Sequence, residues 1–555
     1  MKLPHRIIVV TLILIVAATS RFYKLGAVPT SLNADEAAIG YNAYSILKTG
    51  KDEYGRKFPL LFQSFDDFKM PVYIYLTVPS IAIFGLNDFS VRLPSALLGT
   101  LTVFVTYLLI EGLFASIPIG VIASFLLAIS PWHLQFSRSA YEANIAVFFN
   151  VLGIMLLVKA IKGGKYYIPA FAALALSVWS YHSSRVFVPV FIVGYAALYY
   201  REIIQKKKYF IVGLGVFILL CVPLLKLSLS PEGLVRARGV SAIGDVGPLN
   251  RIISWRQTDE LLGIPLSAIV HNRRLADVSI ILKGYLSHFD PNFFVSEIVQ
   301  GKYHAPGLGL MYLWELGVLL YGLHVAANKK GKGKYVLFLW FFAAPIAASP
   351  TRMLPHPVRT LVFLPIVQIF VAIGLLELYT KLGSMKPLFR TSLVGVGAGI
   401  IVFSGVFYLH QYYIHLPAEY ASEWQYGHEQ VVRTVARMQN KFDKVIVSTS
   451  LDQPYIFFLY YLTYDPVKYL ASGGTKSGKF DEERNAFDVY EFHTFTKTGV
   501  PLNPRVLYVG TPMEILPGSV PLVTIPYPTG EAAYTISAEI SKKNWNEAGN
   551  VPYLH

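Results

Sequence analysis

Two adjacent acids, Asp35 and Glu36, stand a few residues beyond the first apolar segment of the chain. A carboxylate placed there can take the proton of an attacking hydroxyl. It can also simply cap the helix expected over Glu36–Lys48, where acids are favoured. Other chemistry-bearing residues recur at similar places: Asp66, Asp67 and Lys69, then Arg92, Arg138 and Glu142, then His182 and Arg185, and last Arg352, His356 and Arg359. Lysine and arginine can hold a phosphate, arginine in a bidentate fashion. In a water-poor pocket they also stabilise a departing phosphate. A collection of both signs at one membrane depth suits transfer of a group from a lipid phosphate. Blander roles stay open for single residues. Each base can be an interfacial anchor, Glu142 a partner for Arg138 or Arg92, and His182 and His356 hydrogen-bonded structural residues. No spacing of His, Asp and Glu matches a metal motif.

The elements that must position these residues are membrane helices. Of 555 residues, 54% are hydrophobic and 15% charged, where a soluble protein carries about 25% charged residues. The chain is therefore a polytopic membrane protein with room for a soluble appendage. Its net charge of +15 does not gather into a nucleic-acid-binding stripe. The bases punctuate apolar runs, as at Lys206–Lys208 and Lys329–Lys334, and anchor cytoplasmic loops. Membrane lipid is the expected environment and nucleic acid is not a partner. The single cysteine, Cys221, excludes an intramolecular disulfide or a cysteine-rich metal site. The apolar start over Met1–Ser20 reads as a retained membrane helix, because it opens a long series of others.

Placing the Lys/Arg-rich loops inside predicts eleven spans: Ile7–Ser20, Leu93–Leu113, Ile117–Ser130, Ile145–Val158, Ile168–Ser180, Val186–Tyr200, Phe210–Leu225, Leu308–Val325, Val336–Ala348, Leu361–Leu378 and Ser392–His410. Val72–Leu86 drops out of the count, since about 15 residues with an internal proline fall short of the ~20 a span needs. It reads as a helix lying in the outer interface or dipping in and returning. The threading puts the first outer loop (21–92, with juxtamembrane helices) and a long loop (226–306) on the extracytoplasmic face of the cell membrane. Residues 1–413 form the membrane domain. Residues 414–555 form a small extracytoplasmic α/β domain, with helices over Glu419–Gln439 and Pro454–Leu462 and strands at Lys444–Ser448 and Arg505–Gly510.

The order of these pieces carries a resemblance. An acidic pair after the first helix is followed by Val91-Arg92-Leu93-Pro94-Ser95-Ala96-Leu97-Leu98-Gly99, then by Phe136-Ser137-Arg138 with Glu142 four residues on. This layout resembles the protein O-mannosyltransferases and the related lipid A aminoarabinose transferases, which are GT-C glycosyltransferases. Phe68-Lys69-Met70-Pro71-Val72-Tyr73 is similar to a Lys-Pro-Pro-Leu-Tyr-type stretch of the latter, with Met70 in place of the first proline. The similarity runs from about Arg6 to Leu378. It implies a GT-C fold and an inverting transfer of a sugar from a polyprenyl-phosphate donor to an acceptor hydroxyl. It also implies that no cofactor is required, a divalent cation at most assisting. On that resemblance Asp35 is the base, Glu36 completes the acidic pair, and Arg92 and Glu142 match the characteristic Arg and Glu. Lys69 holds the donor phosphate, with Arg185, His356 and Arg359 as further phosphate-side contacts. No sugar-binding trefoil domain is inserted and the C-terminal domain differs, so the acceptor stays open among protein, glycolipid and polysaccharide.

Two other classes fit the same charges. A lipid-linked-sugar transporter or flippase also buries ionisable groups, but two similar halves with broken helices are not evident in the sequence. A non-catalytic assembly subunit can bind lipid through the same bases.

Overall fold

The computed structural model describes residues 3–65, 67–243, 246–297, 300–477, 485–494, 505–514 and 518–539; Asp66 lies outside them. The first apolar run forms α1 (Leu3–Phe22). Helix α2 (Ala34–Thr49) starts on a reciprocal capping box, in which Asn33 accepts from the Glu36 N–H and Glu36 accepts from the Asn33 N–H. A hairpin of β1 (Phe62–Ser64) and β2 (Asp67–Lys69) follows. Helix α3 (Pro71–Phe84) begins on a proline, as a first helical turn permits. Its 14 residues span about 21 Å, short of the ~30 Å hydrocarbon core. It packs on α2 and on α4 (Asp88–Phe114).

The bundle continues through α5 (Ile117–Ile129), α6 (Pro131–Ser137), α7 (Glu142–Ala160), α8 (Tyr167–Ser180), α9 (Ser184–Leu198), α10 (Tyr200–Gln205) and α11 (Lys207–Leu229). Residues 231–295, expected as loop, are largely helical instead: α12 (Pro231–Val240), α13 (Val246–Leu261), α14 (Ser267–Val270), α15 (Arg273–Ser287) and α16 (Pro291–Val295). Then come α17 (Leu313–Asn328), α18 (Gly333–Ala343), α19 (Ile366–Leu382) and α20 (Pro387–His410).

Each of the eleven apolar runs contains a helix. Six helices among the described residues are long and apolar enough to cross a membrane, or seven if α5 and α6, bent by 58°, count as one. The other four, α8, α9, α17 and α18, hold 14, 15, 16 and 11 residues, or about 17–24 Å.

The C-terminal region is a mixed sheet of order β4-β3-β5-β7-β6. Strands β3 (Lys444–Ser448), β4 (Tyr490–His493) and β5 (Val506–Gly510) are parallel; β6 (Val520–Pro526) and β7 (Ala532–Ala538) close it antiparallel. The helix expected over Glu419–Gln439 is broken into α21 (Leu416–Glu419) and α22 (His428–Met438). The break comes at Gly427, whose φ of +103° suits glycine and whose hydrogen face meets the Tyr534 ring.

This domain shares its core with the first outer loop. Helix α23 (Pro454–Tyr461) packs on α2, where Gly40 leaves room for Tyr460 and Val91, and α24 (Pro466–Ala471) packs on α2 as well. A buried carboxylate crosses the junction. Glu53 accepts from Asn42 Nδ2 at 2.8 Å and Thr475 Oγ1 at 2.7 Å, with Tyr455 Oη at 3.4 Å.

Candidate active site

The adjacent acids part company in the structure. Glu36 points inward and Asp35 outward, as successive residues on a helix must. Glu36 Oε1 accepts from Arg92 Nε (3.1 Å) and the Ala140 N–H (2.7 Å), and Oε2 from Arg92 Nη2 (3.1 Å) and the Asn33 N–H (3.3 Å). Its four acceptor positions are filled. Arg92 spends its remaining N–H groups on the carbonyls of Leu25 (3.3 Å), Pro29 (2.9 Å) and Ser31 (2.5 Å). All five of its donors are thus engaged and its side chain is wholly buried. Glu36 and Arg92 are thus satisfied by each other and by the backbone around them. The pair fixes the loop that carries Asp35.

Asp35 remains accessible, its side chain 63% exposed, with Oδ1 2.8 Å from the ammonium of Lys69, which is 9% exposed. The hairpin register puts Lys69 at the end of β2, opposite Phe62. Burial pushes the Lys69 pKa down, but the charges of Asp35 and Glu142 outweigh it and the net shift is upward. The ammonium therefore keeps its proton. Glu142, at the first turn of α7, accepts from the Met70 N–H at 3.1 Å. It pairs with neither Arg138 nor Arg92. Arg138 instead donates to the carbonyls of Ser20 (2.8 Å), Arg21 (3.0 Å) and Val28 (3.0 Å), and lies over the rings of Tyr412 and Tyr413.

Asp35, Lys69 and Glu142 line one cleft of about 350 Å³, walled by Asn33, Tyr141, Tyr181 and Val358. A narrower extension of mixed lining continues from Tyr181 and Val358 past Ala146, Val147, Asn150, Ser183, Ser184 and Leu361. The remaining bases stand around the cleft. Arg185 reaches Met70 Sδ (2.7 Å) and Ser228 Oγ (3.1 Å), and its Nε is buried without a partner. Arg359 donates to Thr351 Oγ1 (2.7 Å) and the Arg352 carbonyl (2.6 Å), and burial lowers its pKa while the phenols of Tyr181 and Tyr303 raise it. Among the described residues neither arginine meets a carboxylate. His182 lies against the Phe68 carbonyl at 3.1 Å, and burial pushes its pKa down to about 3, so it is neutral. His356 accepts from the Val358 N–H through Nδ1 (3.3 Å) and rests against Tyr303 (5.5 Å between centroids), shaping the turn that presents Val358 and Arg359.

Sequence reasoning missed Tyr141 as a cleft wall and Tyr303 as its neighbour, and the place of Tyr141 next to Glu142 was the available signal. It also missed Arg21, which is wholly buried and donates to the carbonyls of Ala17, Leu127 and Ala128 and to His133 Nδ1. No group of three or more His, Cys, Asp or Glu able to hold a metal occurs among the described residues.

Residues 69–226, the segment that runs from Lys69 through Arg92 and Glu142 to Arg185, match the family model described as dolichyl-phosphate-mannose-protein mannosyltransferase. Two Bacillus subtilis (strain 168) proteins that bear provisional mannosyltransferase names, YkcB and YycA, are 34% identical over 145 residues and 30% identical over 165 residues. These alignments take in 23% and 29% of this chain. The chain spans only 20% and 23% of the length of these relatives. Among solved structures, ArnT from Cupriavidus metallidurans bound to undecaprenyl phosphate is similar with a TM-score of 0.56 at 12% identity, over 98% of this chain and 99% of that one. An Archaeoglobus fulgidus oligosaccharyltransferase tethered with an acceptor peptide reaches 0.50 at 14% identity, over 98% and 75%. The mannosyltransferase resemblance of the sequence is borne out by these matches. The fold is that of a mainly helical, multi-pass, ArnT-like membrane protein with a small C-terminal mixed sheet.

Proposed function

We propose that this chain, whose 69–226 segment matches the family model of the dolichyl-phosphate-mannose-protein mannosyltransferases, is an inverting glycosyltransferase working on the extracytoplasmic face. It moves a sugar from a polyprenyl-phosphate donor to an acceptor hydroxyl on a protein, glycolipid or polysaccharide. One observation carries the reading. The exposed Asp35 and the buried Lys69 meet as an ion pair in a cleft that they share with Glu142.

Asp35 takes the proton of the acceptor hydroxyl as its oxygen attacks the anomeric carbon. The bond from that carbon to the phosphate oxygen breaks, and polyprenyl phosphate leaves with the bonding electrons. Lys69, Arg185 and Arg359 stabilise the charge that develops on it. The two arginines suit this role because neither is committed to a carboxylate. Glu142 keeps Lys69 charged and in place. The cations of the chain carry the phosphate charge, so no metal is needed, and transfer should persist in EDTA.

Membranes holding the protein, supplied with radiolabelled polyprenyl-phosphate mannose as probe donor, test the reading against its rivals. Asp35→Asn should cut the release of polyprenyl phosphate by about 10²–10⁴-fold while retaining binding of undecaprenyl phosphate. A transporter or a lipid-binding subunit would be indifferent to that change. Release at the wild-type rate by Asp35→Asn refutes the assignment.

A further inference from the structure

The helices between α11 and α16 carry a feature that the cleft does not use. α13 and α15 are the arms of a hairpin whose tip is strongly apolar. Leu261, Leu262, Ile264, Leu266, Ile269 and Val270 are 51–88% exposed. Along α15 the residues Leu275, Val278, Leu282 and Leu286 are 49–60% exposed. Steps of three, four and four residues place them on one stripe within an arc of about 80°. The other side of α15 is the packed one. Gly284 lies against the Ser349 carbonyl with no space for a Cβ, while Tyr285, at the edge of the stripe, donates from its hydroxyl to the Phe342 carbonyl at 2.9 Å. Nothing in the described residues covers the stripe or the tip. So much contiguous apolar surface marks a contact site.

Three features say what covers it. The arms carry Arg251, Arg256, Arg273, Arg274 and Lys283 against Asp259, Glu260 and Asp277, a basic excess suited to lipid phosphates. Trp255 on α13 is 49% exposed, as the aromatic residues of a membrane interface are. The hairpin is also continuous with membrane-embedded structure, following α11 and bonding to the end of α18 through Tyr285. Its root is tied to the cleft side of the molecule. The Ala242 N–H donates to the Pro350 carbonyl and the Arg352 N–H to the Val240 carbonyl, both at 2.9 Å. The Arg352 carbonyl in turn holds Arg359.

We propose that the hairpin 246–287 is a lipid-docking wedge, with its tip and the α15 stripe seated in the interfacial layer of the leaflet on the cleft side and its bases on lipid phosphates. This is the amphipathic in-plane mode of membrane contact. It stands independently of the glycosyl-transfer reading.

The single native cysteine makes the test direct. In a Cys221→Ser background, Leu262→Cys, Leu266→Cys and Leu282→Cys carry a nitroxide, with Arg256→Cys and Asp277→Cys as controls. The full chain is placed in nanodiscs of mixed neutral and anionic phospholipid. Spin relaxation is compared for oxygen, which concentrates in lipid, and a water-soluble nickel chelate. Oxygen should dominate at the three leucine positions and nickel at the controls. Nickel access at the leucines overturns the proposal, because the wedge then sits in water. Access for neither reagent also overturns it, because protein, such as a second copy of this chain, then covers the surface. Quenching of Trp255 by brominated lipid, read as the difference from Trp255→Phe, gives the same answer without a label.

Discussion

Replacing Arg92 by methionine separates architecture from chemistry within the acidic pair. The Arg92 and Glu36 side chains are 0% and 2% exposed, so neither charge has water to fall back on. Arg92→Met leaves Glu36 buried without its cation and the carbonyls of Leu25, Pro29 and Ser31 without a donor. Breaking one side of a buried pair costs about 3–5 kcal/mol, and Glu36→Gln, which strands Arg92, belongs to the same range. The double variant loses both charges, while the carbonyl oxygen of the side-chain amide that Glu36→Gln introduces still accepts from one of the two N–H groups, that of Ala140 or that of Asn33. Its cost should therefore fall below the sum of the singles by about 2–3 kcal/mol. Asp35→Asn is the comparison. Its partner pair is open to water on the Asp35 side, and such pairs are worth about 1 kcal/mol or less. The assay is reversible unfolding of the purified protein in mixed micelles by denaturant titration. Single variants costing under about 1 kcal/mol, or costs that add to within about 0.5 kcal/mol, would refute the reasoning. An Asp35→Asn variant as unstable as Arg92→Met would do the same.

Three further outcomes are expected. Lys69→Met, of similar length but without charge, should lower kcat/KM for a polyprenyl-phosphate donor by about tenfold, or ~1.4 kcal/mol, and steady-state kinetics that leave kcat/KM unchanged would contradict it. Burial pushes the Glu53 pKa up from 4.5 to about 7, so folding favours its protonated form. The stability this adds is complete below pH 4.5, declines as pH rises toward 7 and is gone above, on the order of 3 kcal/mol in all. Amide exchange in α23 should accelerate over that window, and Glu53→Gln should remove the trend. Finally, Gly322 on α17 has the Phe370 carbonyl of α19 where a Cβ would stand, whereas Gly317 faces open space. Gly322→Ala should cost about 1–3 kcal/mol by overpacking and Gly317→Ala almost nothing, as thermal melts in detergent would show.

What was legible in the sequence follows from how local each signal is. Apolar runs bounded by bases located the helices, and the shortness of Val72–Leu86 removed it from the membrane. The edge positions of Asp35, Lys69 and Glu142 put them on one face. The partnership of Arg92 with Glu36 crosses 56 residues, and no periodicity encodes it. The helices of 231–295 escaped because their apolar and basic residues suggest neither a clean span nor a two-faced soluble helix. Strands β6 and β7 escaped for another reason. Pro521 and Pro526 read as breakers in β6, yet an edge strand tolerates them. Tyr141 and Tyr303 were hidden in a chain with 36 tyrosines, where composition gives no reason to prefer any one.

Beyond the buried Arg21 side chain, the stretch from Ser20 to Ser31 is gripped through its peptide oxygens, from Arg138 on one side and Arg92 on the other. Carbonyl groups are common to every amino acid, so this grip recognises a path and not a sequence. The side chains of Tyr23, Lys24 and Thr30 are free to drift over evolutionary time while the two guanidinium forks are not, since a lysine offers no planar fan of donors to replace them. A family built this way would keep its arginines and the acid downstream, and show an unremarkable stretch of substitutions between them. The least constrained text would then lie within the most constrained geometry.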